Sequence, residues 1–217
     1  FEELEAFLSK TDQPKFRVKQ VYKWLLRGVT GFDEMTDIPK DLRNYLEQNC
    51  YLSKEEIYRK YKSNIDETVK YVFMMYDGEL IESVLMKYEH GYSICISTQI
   101  GCRMGCKFCA SGLNGLNRSL TASEMLAQII TASKDNNIRI SNVVMMGMGE
   151  PLDNFDNSTR FLKLVSEPDG LGIGLRHISL STSGVVPGIL KLTALKLPIT
   201  LSVSLHAPFD DLRKEIM

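Results

Sequence analysis

The sequence predicts an α/β fold in which a mainly parallel sheet follows a small helical segment. From Ser93 onwards, four short apolar runs alternate with helical patterns, which is typical of a parallel sheet. The first ~50 residues instead space their apolar side chains as short helices do. Between these parts, Asp77-Gly78 separates two runs rich in β-branched and aromatic residues, which predicts a β-hairpin.

Two features predict the helical segment: the spacing of its apolar residues and the residues at which its helices begin or end. Over 15–27 apolar residues recur at helical intervals, and Gly28 is a natural stop. A short helical turn is expected over 33–37, and Pro39 suits the first turn of another helix.

The strands and helices of the second half follow from alternation and capping. Thr121 and Glu124 form a capping box that opens a helix ending near Ser133. The predicted strands cover 69–76, 80–86, 93–97, 141–146, 176–181 and 199–205, and the later helices cover 155–165, 186–195 and a segment starting near Asp210. Four parallel strands in this length do not make a closed eight-stranded barrel.

Composition sets the outer limits. The 217 residues are 44% hydrophobic and 24% charged, which excludes a disordered chain, and no apolar run reaches the ~20 residues of a membrane span. A net charge of −1 excludes a chain that is basic throughout, although a local basic face can still bind nucleic acid. The chain starts at Phe1 without a signal-peptide pattern and stops at Met217 inside a starting helix. We therefore expect a fragment of a cytoplasmic protein, lacking a little at the front and more at the back.

The strongest chemical signal is the spacing C-x3-C-x2-C formed by Cys102, Cys106 and Cys109. Three thiolates on one short loop can hold three irons of a 4Fe–4S cluster and leave the fourth iron open to a ligand. An odd cysteine count with this clustering does not indicate a secreted disulfide framework. Structural zinc needs four ligands; zinc, and three thiols without a metal, stay open as alternatives.

Three further loops follow successive predicted strands: GMGEP at 147–151, STSG at 181–184 and SLHAP at 204–208. Taken singly, they also fit a plain turn, a helix cap and a structural histidine. Their shared position is informative, because parallel sheets bind ligands at the carboxyl ends of their strands. Glycines there would let backbone approach a ligand closely, Glu150 could bind an amine, and the hydroxyls of the second loop suit a ribose.

The loop C-x3-C-x-aromatic-C resembles that of the radical S-adenosylmethionine (SAM) superfamily. With the GEP, LSTSG and SLHAP loops, it resembles the RlmN family of bacterial adenine-C2 RNA methyltransferases over nearly the whole chain. Residues 16–20 and 32–36 are similar to that family's accessory domain. A relative that modifies carbon 8 of the same adenine has Gly-Glu-Ala where this chain has Gly149-Glu150-Pro151, which favours the C2 family.

The resemblance implies a fold and a domain plan. The expected fold is a partial (incomplete) radical-SAM (β/α) barrel with a small N-terminal helical accessory domain and a β-hairpin linker. The accessory domain, expected to bind RNA, covers 1–52, the linker 53–90, and the radical-SAM core 91–217, truncated at its C-terminus.

The resemblance also implies site residues. The cluster ligands are Cys102, Cys106 and Cys109, and the SAM contacts are Gly149, Glu150, Ser181, Ser204, Leu205 and His206. Cys95 matches the resolving cysteine and Glu82 the proton acceptor. From the residues alone, Cys95 also fits a buried strand thiol. Glu82 fits a solvent-facing strand residue, although apolar neighbours could raise its pKa.

The implied reaction methylates carbon 2 of an adenine. In the family, a methyl group is first placed on a C-terminal cysteine, and a 5′-deoxyadenosyl radical takes a hydrogen from it. The resulting methylene adds to the base, and the resolving thiol releases the RNA by forming a disulfide. The methyl-carrying cysteine and one SAM-contacting asparagine belong to a segment after Met217. Cys50 matches no family role and is expected to be a packing thiol.

The implied substrates are 23S rRNA and tRNA, with an electron donor such as flavodoxin or ferredoxin and no membrane. Residues 15–27 include five basic residues and no acidic one, interleaved with Phe16, Tyr22 and Trp24. That pattern suits contacts with RNA phosphates and bases, and it equally suits a solvated amphipathic helix. Two other functions stay open: a radical-SAM enzyme with a non-RNA substrate, and a non-catalytic iron–sulfur or zinc RNA-binding protein.

Overall fold

A computed structural model describes residues 1–52 and 55–217. The N-terminal part is helical, and the remainder is a mixed sheet with helices against one face. The helices are α1 (Glu2–Leu8), α2 (Phe16–Leu26), α3 (Lys40–Asn49), α4 (Ala122–Asn136), α5 (Phe155–Ser166), α6 (Val186–Ala194) and α7 (Asp210–Ile216). The strands are β1 (Glu56–Lys62), β2 (Val69–Met74), β3 (Leu80–Tyr88), β4 (Gly91–Cys95), β5 (Gln99–Gly101), β6 (Leu116–Ser119), β7 (Ile140–Met145), β8 (Ile178–Thr182) and β9 (Thr200–Val203).

Within the described ranges the main sheet has seven strands in the order β1-β2-β3-β4-β7-β8-β9. The first four strands are antiparallel neighbours, whereas β4, β7, β8 and β9 run parallel. The predicted run of four parallel strands is therefore confirmed. In the described chain β5 and β6 form a separate two-stranded ribbon.

The two faces of the main sheet differ in chemistry. Leu85 pairs with Ile94, and Ile94 with Val143, and these buried side chains share one core with α4 and α5. Successive strand residues point to opposite faces. The residue pairs that alternate with these along the strands therefore share the other face, on which Cys95 lies beside Val144. We call this second face the inner face.

The N-terminal helices have their own small core, which includes Val21, Met35 and Leu46. They contact the sheet-bearing part through Gly28, which ends α2 with a left-handed φ of +69°. A Cβ on this glycine would lie 2.7 Å from Ile130 Cγ2 on α4. Lys134 Nζ also donates to the Gly28 carbonyl at 2.9 Å. The predicted stop at Gly28 is thus also the place where the two parts approach most tightly on this side.

Several local predictions are confirmed. Thr121 and Glu124 form the expected capping box, with Glu124 N donating to Thr121 Oγ1 at 3.2 Å and Thr121 N to Glu124 Oε2 at 2.8 Å. The sequence reading missed β1, because its side chains are all exposed and it lacks inward-outward alternation. It also missed the β5–β6 ribbon. The predicted boundary between the accessory domain and the linker adjoins residues 53–54, which lie outside the described residues.

Among the helices of the described ranges, none is both long and apolar enough to cross a bilayer.

Candidate active site

The cysteine loop rises from the β5–β6 ribbon. Cys102 N donates to the Gly115 carbonyl at 3.0 Å and closes the base of the loop. Gly101, with φ of +77°, is required there, because a Cβ would lie 2.0 Å from that same carbonyl oxygen. Near the tip, Cys109 N donates to the Cys106 carbonyl at 3.0 Å. Backbone bonds therefore fix the loop without using the thiols.

The three loop thiols are half-buried and free. Burial raises the pKa of Cys102 and of Cys106, and the neighbouring thiols and Glu150 raise both further. Opposing these effects, the Met104 N–H bonds the Cys102 sulfur and lowers its pKa. The thiols and the Glu150 carboxylate therefore lie within electrostatic range of one another, and a metal that binds here displaces thiol protons.

Three free thiols on one short loop are a donor set that suits a 4Fe–4S cluster. Across the ranges that the structure describes, no three His, Cys, Asp or Glu side chains are placed to share one metal ion. A 4Fe–4S cluster does not need such convergence, because each thiolate binds a different iron. A tetrahedral zinc site would need four ligands around one point.

Glu150, the acid of the GMGEP loop, is buried with 3% of its surface exposed. Its Oε1 accepts from Leu152 N at 3.0 Å and its Oε2 accepts from Ser183 N at 2.7 Å. The carboxylate thus ties its own loop to the loop after β8. Each oxygen keeps a further lone pair, so an amine can still bind.

The glycines of the same loop are required by the chain's own packing. A Cβ on Gly147 would lie 2.7 Å from the Ile96 carbonyl oxygen. A Cβ on Gly149 would lie 2.5 Å from Gln99 Cβ. Both glycines therefore let this loop lie close against the segment from Ile96 to Gln99.

Gln99, Asp153 and Arg103 form a polar chain that sequence reasoning missed. Gln99 is fully buried; its Oε1 accepts from Glu150 N at 2.8 Å, and its Nε2 donates to Asp153 Oδ2 at 2.8 Å. Arg103 Nε, from the cysteine loop, lies 2.9 Å from the same Asp153 oxygen. This chain joins the cysteine loop to the Glu150 loop.

The loops after β8 and β9 meet each other and the cysteine loop. Ser181 Oγ and Ser204 Oγ are 3.4 Å apart. His206 has a left-handed φ of +55°, and its ring centroid lies 4.5 Å from that of Phe108 in the cysteine loop. Leu205, by contrast, leaves 60% of its surface exposed.

Arg213 on α7 is a second residue that the sequence did not indicate. Its Nη2 donates to the Ser204 carbonyl at 3.3 Å and also to the Ser183 carbonyl. The same helix holds the cysteine loop, because Lys107 N donates to the Ile216 carbonyl at 2.9 Å. Helix α7 therefore contacts the cysteine loop and the loops after β8 and β9.

Cys95 and Glu82 lie on the inner face, outside the cysteine loop. Cys95 on β4 pairs with Val84 on β3, and Glu82 lies two residues before Val84 on β3. Burial raises the pKa of the Cys95 thiol, and a bond from the Met146 N–H opposes this. Glu82 is half exposed and forms an ion pair with Lys70 at 2.7 Å. Glu82 thus lies on a solvent-facing strand position, paired with Val72 across the strands and bound diagonally by Lys70.

Cys50 packs against the small core of the N-terminal helices, as expected of a packing thiol. All five cysteines are free within the described chain.

A cysteine loop and three ligand loops at the carboxyl edge of parallel strands define a class of protein. The chain belongs to the radical SAM superfamily, whose model matches residues 96–217. A second model, the ribosomal RNA large subunit methyltransferase N-terminal domain, matches residues 1–52.

The relatives specify the family further. The probable dual-specificity RNA methyltransferase RlmN of Clostridium novyi (strain NT) is 52% identical over 217 residues, covering 100% of this chain and 63% of that protein. The same-named protein of Alkaliphilus metalliredigens (strain QYMF) is 51% identical over 216 residues, covering 100% and 61%. The predicted resemblance to the RlmN family is confirmed. The chain spans less than two thirds of the length of these relatives.

A solved structure agrees in fold. The crystal structure of a radical SAM methyltransferase from Sphaerobacter thermophilus superimposes with a TM-score of 0.93 at 40% identity, covering 100% of this chain and 64% of that one. The predicted fold class, a partial barrel of this superfamily, is thereby confirmed.

Proposed function

We propose that this chain carries the radical-initiating core and the RNA-binding domain of a methyltransferase acting on carbon 2 of adenine in 23S rRNA and in tRNA. The domain plan is the expected one: RNA-binding residues 1–52, a linker over 53–90 and the core over 91–217. One observation carries the proposal. The cysteine loop and three strand-end loops meet at one sheet edge, through the His206–Phe108 contact and the Glu150–Ser183 bond.

Cys102, Cys106 and Cys109 would hold a 4Fe–4S cluster. When bound, the cluster supplies the electron that cleaves SAM. Gly149, Glu150, Ser181, Ser204, Leu205 and His206 would bind SAM. Glu150 presents its remaining lone pairs to the amine, and the paired hydroxyls of Ser181 and Ser204 suit a ribose.

Cys95 and Glu82 would complete the reaction on the inner face. After the methylene radical adds to carbon 2, the adduct would lose one electron, which the oxidised cluster could take back, and Glu82 would accept the proton from that carbon. The Cys95 thiolate attacks the sulfur of the carrier cysteine, which is outside this chain, and the sulfur–carbon bond to the RNA breaks. The carbon keeps the electron pair and gains a proton as a methyl group, while both sulfurs are oxidised to a disulfide.

RNA contact is assigned to α2 and its neighbours, with a narrower set of side chains than the sequence indicated. Phe16 is exposed and lies under the Arg17 guanidinium at 4.8 Å, an arrangement that can stack on a base. Tyr22 is buried and cannot stack. Lys19 forms an ion pair with Asp169, so a phosphate must compete for it.

The test uses the full-length protein, with its carrier cysteine, reconstituted without oxygen and supplied with SAM, reductant and RNA. Mass spectrometry of RNA digests should detect 2-methyladenosine. Cys95→Ala should retain iron and SAM cleavage and accumulate a covalent protein–RNA adduct, visible on denaturing gels. Cys50→Ala, another half-buried thiol, should turn over normally.

Three results would contradict the proposal: wild-type protein that cleaves SAM without methylating RNA, a Cys95→Ala protein that turns over without adduct, and zinc in place of iron. Deleting residues 1–52 separates the alternatives. RNA binding should be lost while SAM cleavage remains, whereas an enzyme with a non-RNA substrate would keep its substrate.

A further inference from the structure

A cavity of about 750 Å³ lies between the N-terminal helical part and α4. Its walls are mainly apolar and include Leu25, Val29, Leu126 and Ile130. None of the described residues that line it belongs to the cysteine loop or to the three ligand loops. The cavity is therefore separate from the candidate active site.

Glu55 is the unusual group of this cavity. The residue is only 8% exposed, and both of its carboxylate oxygens are buried without a hydrogen-bond partner in the described chain. Burial, reinforced by the charge of Glu124, holds the pKa of Glu55 well above its ordinary value. A buried carboxyl group whose two oxygens have no hydrogen-bond partner is costly, so its retention in a cavity wall calls for a partner that supplies N–H donors.

Among the residues that the structure describes, the nearby charges do not supply that partner. Glu124 has its own bonds, from Arg118 Nη1 at 3.0 Å, Arg118 Nη2 at 2.8 Å and Thr121 N at 2.8 Å. Arg118 also bonds Asp77 through Nε at 2.6 Å. Arg118, the cationic side chain among the described lining residues, is thus bound to two other carboxylates. The lining acids Glu55, Glu56 and Glu124 outnumber it.

We propose that this cavity binds a small organic cation: an aliphatic amine of the polyamine class, with an ammonium group on Glu55 and methylene groups along the apolar walls. An ammonium brings N–H donors to two orphaned acceptors. Its alkyl chain gains from contact with Leu126 and Ile130. A divalent metal suits the cavity less well, because Glu124 is already held by Arg118 and mainly apolar walls do not provide six oxygen ligands.

The experiment is calorimetric titration of this chain with spermidine at neutral pH and moderate salt. Wild-type protein should bind, and Glu55→Gln should weaken binding at least tenfold. Glu47→Gln, which removes the same charge from exposed α3, should leave the affinity within twofold. Hexane-1,6-diol, with an alkyl chain but no charge, should not bind.

A second variant keeps the proposal testable if Glu55→Gln misfolds. Ala127→Leu places a larger side chain in the cavity without altering a carboxylate, so it should also weaken spermidine binding at least tenfold. Three results would overturn the proposal: no spermidine binding by wild type, equal binding by wild type and Glu55→Gln, or unchanged binding by Ala127→Leu. None of these readouts involves SAM or RNA, so failure here is distinct from failure of the proposed methylation.

Discussion

Gln99→Leu should destabilise the protein and loosen the Glu150 loop specifically. The substitution keeps a buried side chain of similar size and removes its carboxamide. It leaves the Glu150 N–H without its 2.8 Å acceptor and takes one donor from Asp153, which retains Arg103 at 2.9 Å. A buried polar group left unpaired costs about 1–3 kcal/mol, and one lost bond to a charged group about 1.5–3 kcal/mol when fully buried.

Because Asp153 keeps a partner, we expect the lower part of that second range. The loss of unfolding free energy should be about 2–4 kcal/mol. Urea denaturation of wild type and variant gives the difference. Gln48→Leu, the same change on the exposed surface of α3, should alter stability by less than about 0.5 kcal/mol.

Hydrogen exchange provides the local readout. The Glu150 amide should lose protection in Gln99→Leu beyond the loss caused by global destabilisation, whereas amides of β2 should lose only the global part. The reasoning is refuted if Gln99→Leu matches wild type within about 0.5 kcal/mol, or if Glu150 exchange follows β2.

Three further outcomes are expected. Because burial raises the Cys95 pKa, its thiolate forms at higher pH than that of a cysteine peptide. Its iodoacetamide alkylation rate should therefore keep rising at pH values where the peptide has levelled off; levelling at the same pH contradicts this. Gly101→Ala should lower the free energy of unfolding, measured in urea, by more than about 3 kcal/mol. Gly78→Ala should lower it by about 1 kcal/mol, because Gly78 also has a left-handed φ but has open space for a Cβ. Equal losses in the two variants would remove the steric argument. Arg213→Ala should speed proteolysis within 204–209 and leave cleavage at the Asp77–Gly78 turn unchanged, because only the former loses its bonds; parallel changes would indicate global unfolding.

The sheet and its helices were predictable because their signals are local. The capping box of α4 and the stop at Gly28 lie within a few residues of the structures they specify. β1 escaped because a fully exposed strand has no buried side chains to set a period of two.

The sequence predicted which residues belong to the site better than it predicted what each residue contacts there. Motif positions identified Glu150, but its bond to Ser183 joins residues 33 positions apart, and no local pattern encodes that pairing. Gln99 and Arg213 act through backbone atoms of other loops, so their residue types carry little signal on their own. The ion pair of Glu82 with Lys70 had no local signal for a related reason, because the lysine comes from the adjacent strand.

The two-faced sheet has a consequence for how this protein can vary. One face holds the hydrophobic core, and the opposite face holds short polar or half-buried side chains, among them Val144, Ser179 and Ser202. Substitutions on the inner face therefore change the chemistry of that face without disturbing the packing beneath the helices. A scaffold of this kind can diverge in chemistry while its folding free energy stays nearly constant, and selection for a new substrate can act on those positions first.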